Sequence, residues 1–386
     1  MSFELDRSQK QIQDAAWEFA RGEFDKDLLL DLARENEFPE EIWKKAGELG
    51  FLGLHVDEVW GGGSMGLFET ALVAETFCRK DSTCGMALML SGFSSELILR
   101  FGNDEQKRRW LPGIAEGTQR CGGAFLEEGN GYNLTKLECS AFKDGDTWTI
   151  HGEKTQVVNA ESADFFLVLA RTAAGAPPEK AFSLFLVEKA PSLAITPLQK
   201  GLGGTMTTMG KVAFKDVTVA DDRRIGKEGA GLAMVQSFLD ESAILQAAMA
   251  IGMAHGAMER SISYADKRKQ FGREISLFET VQHKIAQMAT KIEAARFITY
   301  QAAATFGSKA QKKKAPSLPT MSAQTALRTA EEVTDEAIQI HGGYGYMQEG
   351  EIEHFYRDAK FLTIFTSNPG QRNSQIARNM IKGGKS

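Results

Sequence analysis

Gln339-Ile340-His341-Gly342-Gly343-Tyr344-Gly345-Tyr346 ends a helical run, and Arg357-Asp358-Ala359-Lys360 and Thr366-Ser367-Asn368-Pro369-Gly370 follow it. Glycines here let a second backbone or a ligand come close, while Gln339 and Arg357 offer donors to a polar group. By itself the stretch reads equally well as a helix C-cap followed by a loop. Its surroundings decide between the two.

Working outward, apolar residues recur at helical spacing over about residues 232–268, 277–306 and 319–340, so long helices precede the glycines. Long helices joined by short loops predict a bundle, which often doubles as an oligomer core. Further upstream the period shortens. Trp148-Thr149-Ile150, residues 165–169, residues 182–187 and Val212-Ala213-Phe214 are short β-rich runs. Turn signals at Lys143-Asp144-Gly145-Asp146 and Ala176-Pro177-Pro178 separate them. From Asp6 to about Phe101 the pattern is helical again, with Ile12, Ala15, Ala16, Phe19 and Ala20 on one stripe. Pro39 marks a helix start, and Asn103 has the look of a cap before Trp110. The order predicts an α+β protein in three parts: helices over 1–119, a β domain over 120–226 and a helical bundle over 227–386.

The 386 residues, 42% of them hydrophobic, are ample for a large core divided among such domains. A formal net charge of −6 argues against nucleic acid or an anionic membrane as the main partner. No apolar run is long enough to span a bilayer, and the opening residues carry no apolar targeting segment. Cys78, Cys84, Cys121 and Cys139 show no CxxC spacing, so reduced thiols and a cytoplasmic setting are expected. Scattered histidines without HxxxH spacing predict no metal site.

Tyr264-Ala265-Asp266-Lys267-Arg268-Lys269-Gln270-Phe271-Gly272, Phe278-Glu279-Thr280-Val281-Gln282 and the 339–345 segment together resemble the acyl-CoA dehydrogenase family. Trp60-Gly61-Gly62, Asn159-Ala160 and Phe214-Lys215-Asp216-Val217-Thr218-Val219 extend the resemblance over essentially the whole chain. It implies a barrel-like middle domain and a C-terminal four-helix bundle, with FAD held between them. It also implies an acyl-CoA substrate, an electron-transfer flavoprotein as acceptor, and a homotetramer, with a heterotetramer as the alternative. In such proteins a glutamate takes the α-proton of the thioester while the flavin takes the β-hydride. Donors to the carbonyl acidify that proton, and the base lies on the face opposite the flavin. By resemblance Arg268 pairs with the FAD pyrophosphate, where a permanent fork of donors suits a diphosphate. Gln270 and Phe271 pack beside it, and Gln339, Gly342 and Gly343 wrap the adenine half across a dimer. Asn368 is placed with these cofactor residues.

The sequence departs from the family where the chemistry occurs. The run after Arg-Asp-Ala-Lys carries a catalytic glutamate in relatives, and Thr366 stands at that position. A threonine hydroxyl needs strong activation to act as a base. The alternative family position for the glutamate falls on Ser242, with Glu241 one residue away, which is about 100° around a helix. Ser91 and Glu96, near the region that lines the acyl pocket in relatives, are further candidates for a displaced base. On the flavin side, two hydroxyl positions are Leu126 and Val158, and a packing tryptophan is Gln156. Tyr132, Asp240, Ser242 and Phe238 are expected along the substrate path. Three readings follow: an oxidoreductase for an unusual cyclic, aromatic or branched acyl-CoA, a glutamate-lacking subunit of a heteromeric dehydrogenase, or a non-redox lyase or binding protein on the same scaffold.

Overall fold

The computed structural model describes residues 4–199, 201–308, 310 and 314–383. Helices come first: α1 (Arg7–Glu23), α2 (Lys26–Glu35), α3 (Glu40–Glu48), α4 (Leu67–Lys80), α5 (Ser82–Leu90), α6 (Glu96–Phe101) and α7 (Asp104–Ala115). Asp6 and Asn103 form capping boxes with Gln9 and Gln106, so α1 and α7 start where free N–H groups find side-chain acceptors. Pro39 precedes α3 as its N-cap.

The strands are β1 (Cys121–Ala124), β2 (Ser140–Asp144), β3 (Thr147–Val158), β4 (Phe165–Arg171), β5 (Phe182–Glu188), β6 (Ala194–Pro197), β7 (Met209–Ala220) and β8 (Arg224–Ile225). A short α8 (Pro178–Ala181) sits between β4 and β5. They form one sheet in the order β6-β7-β3-β2-β4-β5-β8, with β1 parallel to β4. Its two halves join through the single pairing of Ser140 with Arg171, and β6 and β8 stand at its two ends. Trp148, Phe166, Val168, Phe185 and Phe214 fill the interior. Along β4, Phe166, Val168 and Ala170 face that interior, while Phe165, Leu167 and Leu169 face the helical core. A strand buried on both faces reads as a continuous apolar run, which is how β4 and β5 appear in the sequence.

The chain then returns to helices: α9 (Gly231–Lys267), the hairpin β9 (Lys269–Gln270) and β10 (Arg273–Glu274), α10 (Glu279–Thr305) and α11 (Leu318–His341). The short α12 (Gly343–Tyr346), α13 (Ile352–Ile364) and α14 (Pro369–Gly383) complete it. Helices α9, α10, α11 and α13 pack as a bundle, and α4 lies across α9. The close crossing depends on two glycines. A Cβ at Gly252 would collide with the carbonyl of Glu75, and one at Gly256 with that of Arg79. Among the described residues, no helix is long and apolar enough to cross a membrane.

Buried polar groups tie the parts together. Asp358 of α13 accepts from Ser82 Oγ and Thr83 Oγ, both at 2.6 Å, and from the Gly204 N–H at 2.8 Å. Next to it, His354 Nε2 lies 3.2 Å from the Asp81 carboxylate. Burial pulls the His354 pKa down, but the Asp81 charge outweighs it and leaves the imidazole above its ordinary value. Burial pushes Asp81 up, and His354 brings it below the usual carboxylate value.

Two outcomes are expected. Gly252→Ala forces α4 and α9 apart and costs about 1–3 kcal/mol in chemical denaturation, as overpacking of a tight core does. The raised histidine contributes stability that is complete below its unfolded value of about 6.5 and is lost as pH rises through the folded value. The depressed Asp81 contributes above about pH 3.9 and loses its share on acidification. The melting-temperature gap between wild type and His354→Gln is therefore widest near about pH 5–6 and shrinks in alkali.

Candidate active site

The glycine segment forms one wall of a cavity of about 540 Å3 at the end of α11, shared with Tyr264, Arg268 and Gln270. Helix α11 stops because Gly342 takes φ +59°, and its N–H closes the last turn on Gln339 O at 3.2 Å. A Cβ at Gly342 or Gly343 would meet open space, so the backbone itself faces the cavity. The His341 ring stacks on Tyr264 at 4.5 Å, and burial lowers the His341 pKa, so the imidazole is neutral near pH 7. Among the described residues no carboxylate pairs with the exposed Arg268 guanidinium. The Gln339 side chain points to the exposed face of α11, and only its carbonyl takes part. The β9–β10 hairpin turns through Phe271 (φ +51°) and Gly272 (φ +81°) and displays Phe271 at 94% exposure. Together with exposed Tyr344, Tyr346 and Met347 it makes an apolar rim around a cationic centre. A free guanidinium, bare glycine backbone and flanking rings fit the diphosphate and base of a dinucleotide.

A second, narrow cleft lies between the sheet and the bundle. Phe93, Leu126, Tyr132, Gln156, Val158 and Thr366 line it, and its volume is about 30 Å3. A buried ion pair shapes the sheet side: Lys154 Nζ donates to Glu127 Oε1 at 2.7 Å, and Glu127 also accepts the N–H groups of Glu138 and Cys139. This fixes the 126–139 loop against β3, while Thr155 N–H donates to Leu126 O at 2.9 Å. Tyr132 closes the mouth by donating its hydroxyl to Ile364 O. Burial raises its pKa, which keeps the phenol protonated.

At the bottom of the cleft Thr366 meets a residue that sequence reasoning did not single out. Gln246 Nε2 donates to Thr366 Oγ1 at 2.9 Å and to Ser242 Oγ at 3.0 Å. The signal was a lone glutamine in an apolar stretch of α9, one turn after Ser242. Thr366 and Ser242 thus come together, joined by a neutral amide, and no carboxylate lines this cleft among the described residues.

The other candidate acids lie elsewhere. Glu241 pairs with Arg100 and faces a separate, larger cavity that Glu96 also lines. Ser91 donates to Leu88 O at 2.8 Å and borders a small void shared with His55 and Glu96. Asp240 faces the start of α11 beside Pro319. Phe238 packs behind the cleft, its ring 5.0 Å from Phe93, and neighbouring Leu239 lines the cleft instead. Asn368 caps α14, accepting the Gln371 N–H at 3.0 Å.

A cavity suited to a dinucleotide and a thin cleft between sheet and bundle, at the two ends of α9, are the parts of a flavin-type oxidoreductase. The chain matches the family domains described as "Acyl-CoA dehydrogenase, N-terminal domain" over residues 6–118, "middle domain" over 123–217 and "C-terminal domain" over 229–381. It is 30% identical to the caffeyl-CoA reductase-Etf complex subunit CarC of Acetobacterium woodii, covering 97% of each chain. It is 31% identical to the acryloyl-CoA reductase (NADH) of Anaerotignum propionicum, over 99% of this chain and 96% of that one. Butyryl-CoA dehydrogenase from Megasphaera elsdenii superposes with a TM-score of 0.91 at 26% identity, covering 99% of this chain and 100% of that chain. The protein belongs to the acyl-CoA dehydrogenase family. It is an acyl-CoA dehydrogenase-like oxidoreductase with FAD as its cofactor.

Arg268→Ala is expected to weaken FAD retention about 10- to 100-fold, the loss of one charge-assisted contact, as read by flavin release on dialysis.

Proposed function

We propose that this chain reduces the α,β-double bond of a flat or compact acyl-CoA (aromatic, cyclic or branched), with Thr366 and Ser242, joined by Gln246, standing where relatives carry a glutamate. The observation that supports this is the neutral hydrogen bond between Thr366 and Gln246. Desaturation requires a group that takes a proton from carbon. A hydroxyl held by an amide is poorly suited to that, because an amide does not accept the hydroxyl proton as an imidazole or carboxylate would. Reduction requires the reverse, a proton delivered to the α-carbon, and the Thr366 hydroxyl, oriented by Gln246, can deliver one and take its replacement from solvent as the product leaves. FAD, when bound, supplies the hydride chemistry. Arg268 and the glycine segment hold the dinucleotide, and Tyr132 excludes water from the cleft mouth. Phe93, flanked by Phe238 at 5.0 Å and Phe365 at 5.4 Å, offers ring faces and edges that suit a planar acyl group.

Two relatives named as reductases, for caffeyl-CoA and acryloyl-CoA, support this direction. The Etf complex named for the first supports an electron-transfer flavoprotein as redox partner. The exposed rim at Phe271, Tyr344 and Tyr346 supports a dinucleotide site completed by a neighbouring subunit, in a homotetramer. The same rim favours a second reading, a heterotetramer in which a glutamate-bearing partner supplies the desaturase site.

The test is anaerobic. Dithionite-reduced holoprotein is expected to reoxidise with cinnamoyl-CoA or crotonyl-CoA, while saturated counterparts bleach the oxidised protein at least about 100-fold more slowly. Thr366→Glu is expected to raise that bleaching rate about 100-fold, the contribution of a positioned base. Comparable bleaching of the wild type by saturated thioesters would overturn the proposal, as would indifference to both classes.

A further inference from the structure

On the side of α9 away from Thr366, a cavity of about 1100 Å3 opens between the N-terminal residues, α4, α6 and the end of α10. Ser237 and Glu241, one turn apart, face it, whereas Ser242 and Gln246 face Thr366. Phe68, Leu99, Tyr300 and Phe306 give it apolar and aromatic walls. Most of its charged groups are already engaged. Arg100 pairs with Glu241 and donates to Ser237 Oγ at 3.3 Å. Glu69 accepts the Gly66 N–H at 3.1 Å and the Gln9 amide at 3.3 Å.

Glu96 feels the positive charge of Arg100 but is left with an open hydrogen-bonding position. It is 9% exposed, and its Oε2 is buried without a hydrogen-bond partner. His55, which borders the same cavity, has its Nε2 buried and unpartnered as well. Burial lowers the His55 pKa against the pull of Glu96, so the imidazole is neutral and brings no compensating charge. Buried carboxylate oxygens in folded proteins are almost always satisfied, most strongly by a charged donor.

We propose that this cavity is a second ligand site, separate from the acyl-CoA cleft, that takes a small organic cation: an apolar body with a protonated amine directed at Glu96. Phe68, Tyr300 and Phe306 receive the body and favour the positive charge through their ring faces. His55 Nε2 accepts a second ammonium hydrogen. The cavity is large enough for such a molecule. The inference stands independently of the direction of the acyl-CoA reaction.

Calorimetric titration of the full-length holoprotein with phenethylammonium, phenethyl alcohol and phenylacetate tests it. The ammonium compound is expected to saturate one site per chain and to bind at least about 10-fold more tightly than either isostere, because only it forms the charge-assisted bond. Glu96→Gln is expected to weaken it about 10-fold. Leu99→Lys, three residues along the same helix, places an ammonium of the chain's own beside Glu96 and is expected to abolish binding. Thr366→Ala leaves binding unchanged. Absence of binding, equal binding of the alcohol, loss of binding in Thr366→Ala, or competition by an acyl-CoA would each overturn the proposal. Circular dichroism reports whether each variant folds, and Leu99→Lys decides the matter if Glu96→Gln does not.

Discussion

The backbone contact between α4 and α9 is the constraint on which the site depends. With Gly252 and Gly256 against the carbonyls of Glu75 and Arg79, the two helices approach more closely than any Cβ would allow. A helix held that tightly is unable to turn about its axis, and each residue on it is about 100° from the next. The direction of every side chain toward the N-terminal half of α9 is thereby set. Leu239, Ser242 and Gln246 face the cleft, and Ser237 and Glu241 face the cavity beyond. One residue of rotation would exchange Glu241 for Ser242, and with it a charged site for a neutral one.

Buried polar anchors extend this control to the rest of the cleft. Asn159, at φ +58°, sends its amide to the carbonyls of Leu90, Ser91 and Cys121, fastening β3 to the end of α5 and to β1. Asp358 fastens α13 to the start of α5, and Lys154 with Glu127 fastens the loop that carries Leu126 and Tyr132. Breaking one member of such a set leaves an uncompensated buried group, which is more costly than the bond itself is favourable. The cleft walls come from distant stretches of chain, so these anchors do the positioning that a single element would otherwise do.

Much of this was legible in the sequence because it follows from periodicity. Helices 231–267, 279–305 and 318–341 lie within a few residues of where their apolar spacing placed them. The two-faced burial of β4 appears as an unbroken apolar run. Arg268, Gln270, Gly342 and Gly343 come together because they sit at adjoining chain ends whose local signals (a helix stop and a hairpin turn) are short-range. Side-chain direction was less accessible. Glu241 and Glu96 are acids close in sequence to residues of the cleft, yet both point into another cavity, a fact fixed by the α4–α9 contact and by the start of α6. Gln246 was hidden for the same reason: its role depends on Thr366, 120 residues away.

The neutrality of the cleft is therefore a property of the fold and not of one substitution. Restoring a carboxylate at position 366 alone would bring a charge into a space walled by Phe93, Phe125 and Phe365, with Gln246 as its nearest polar neighbour. Burial there raises the pKa of such a carboxylate, which leaves it a usable base at a cost in stability. Gln246 offers one amide group, already shared with Ser242. In the present arrangement that amide satisfies two hydroxyls, and no group in the Thr366–Gln246–Ser242 set titrates between about pH 5 and 8. A thioester entering such a cleft displaces water without stranding a charge. On the proposed reading, the loss of the family's base is matched by a polar set suited to giving a proton, and both follow from which face of α9 the glycines turn toward the sheet.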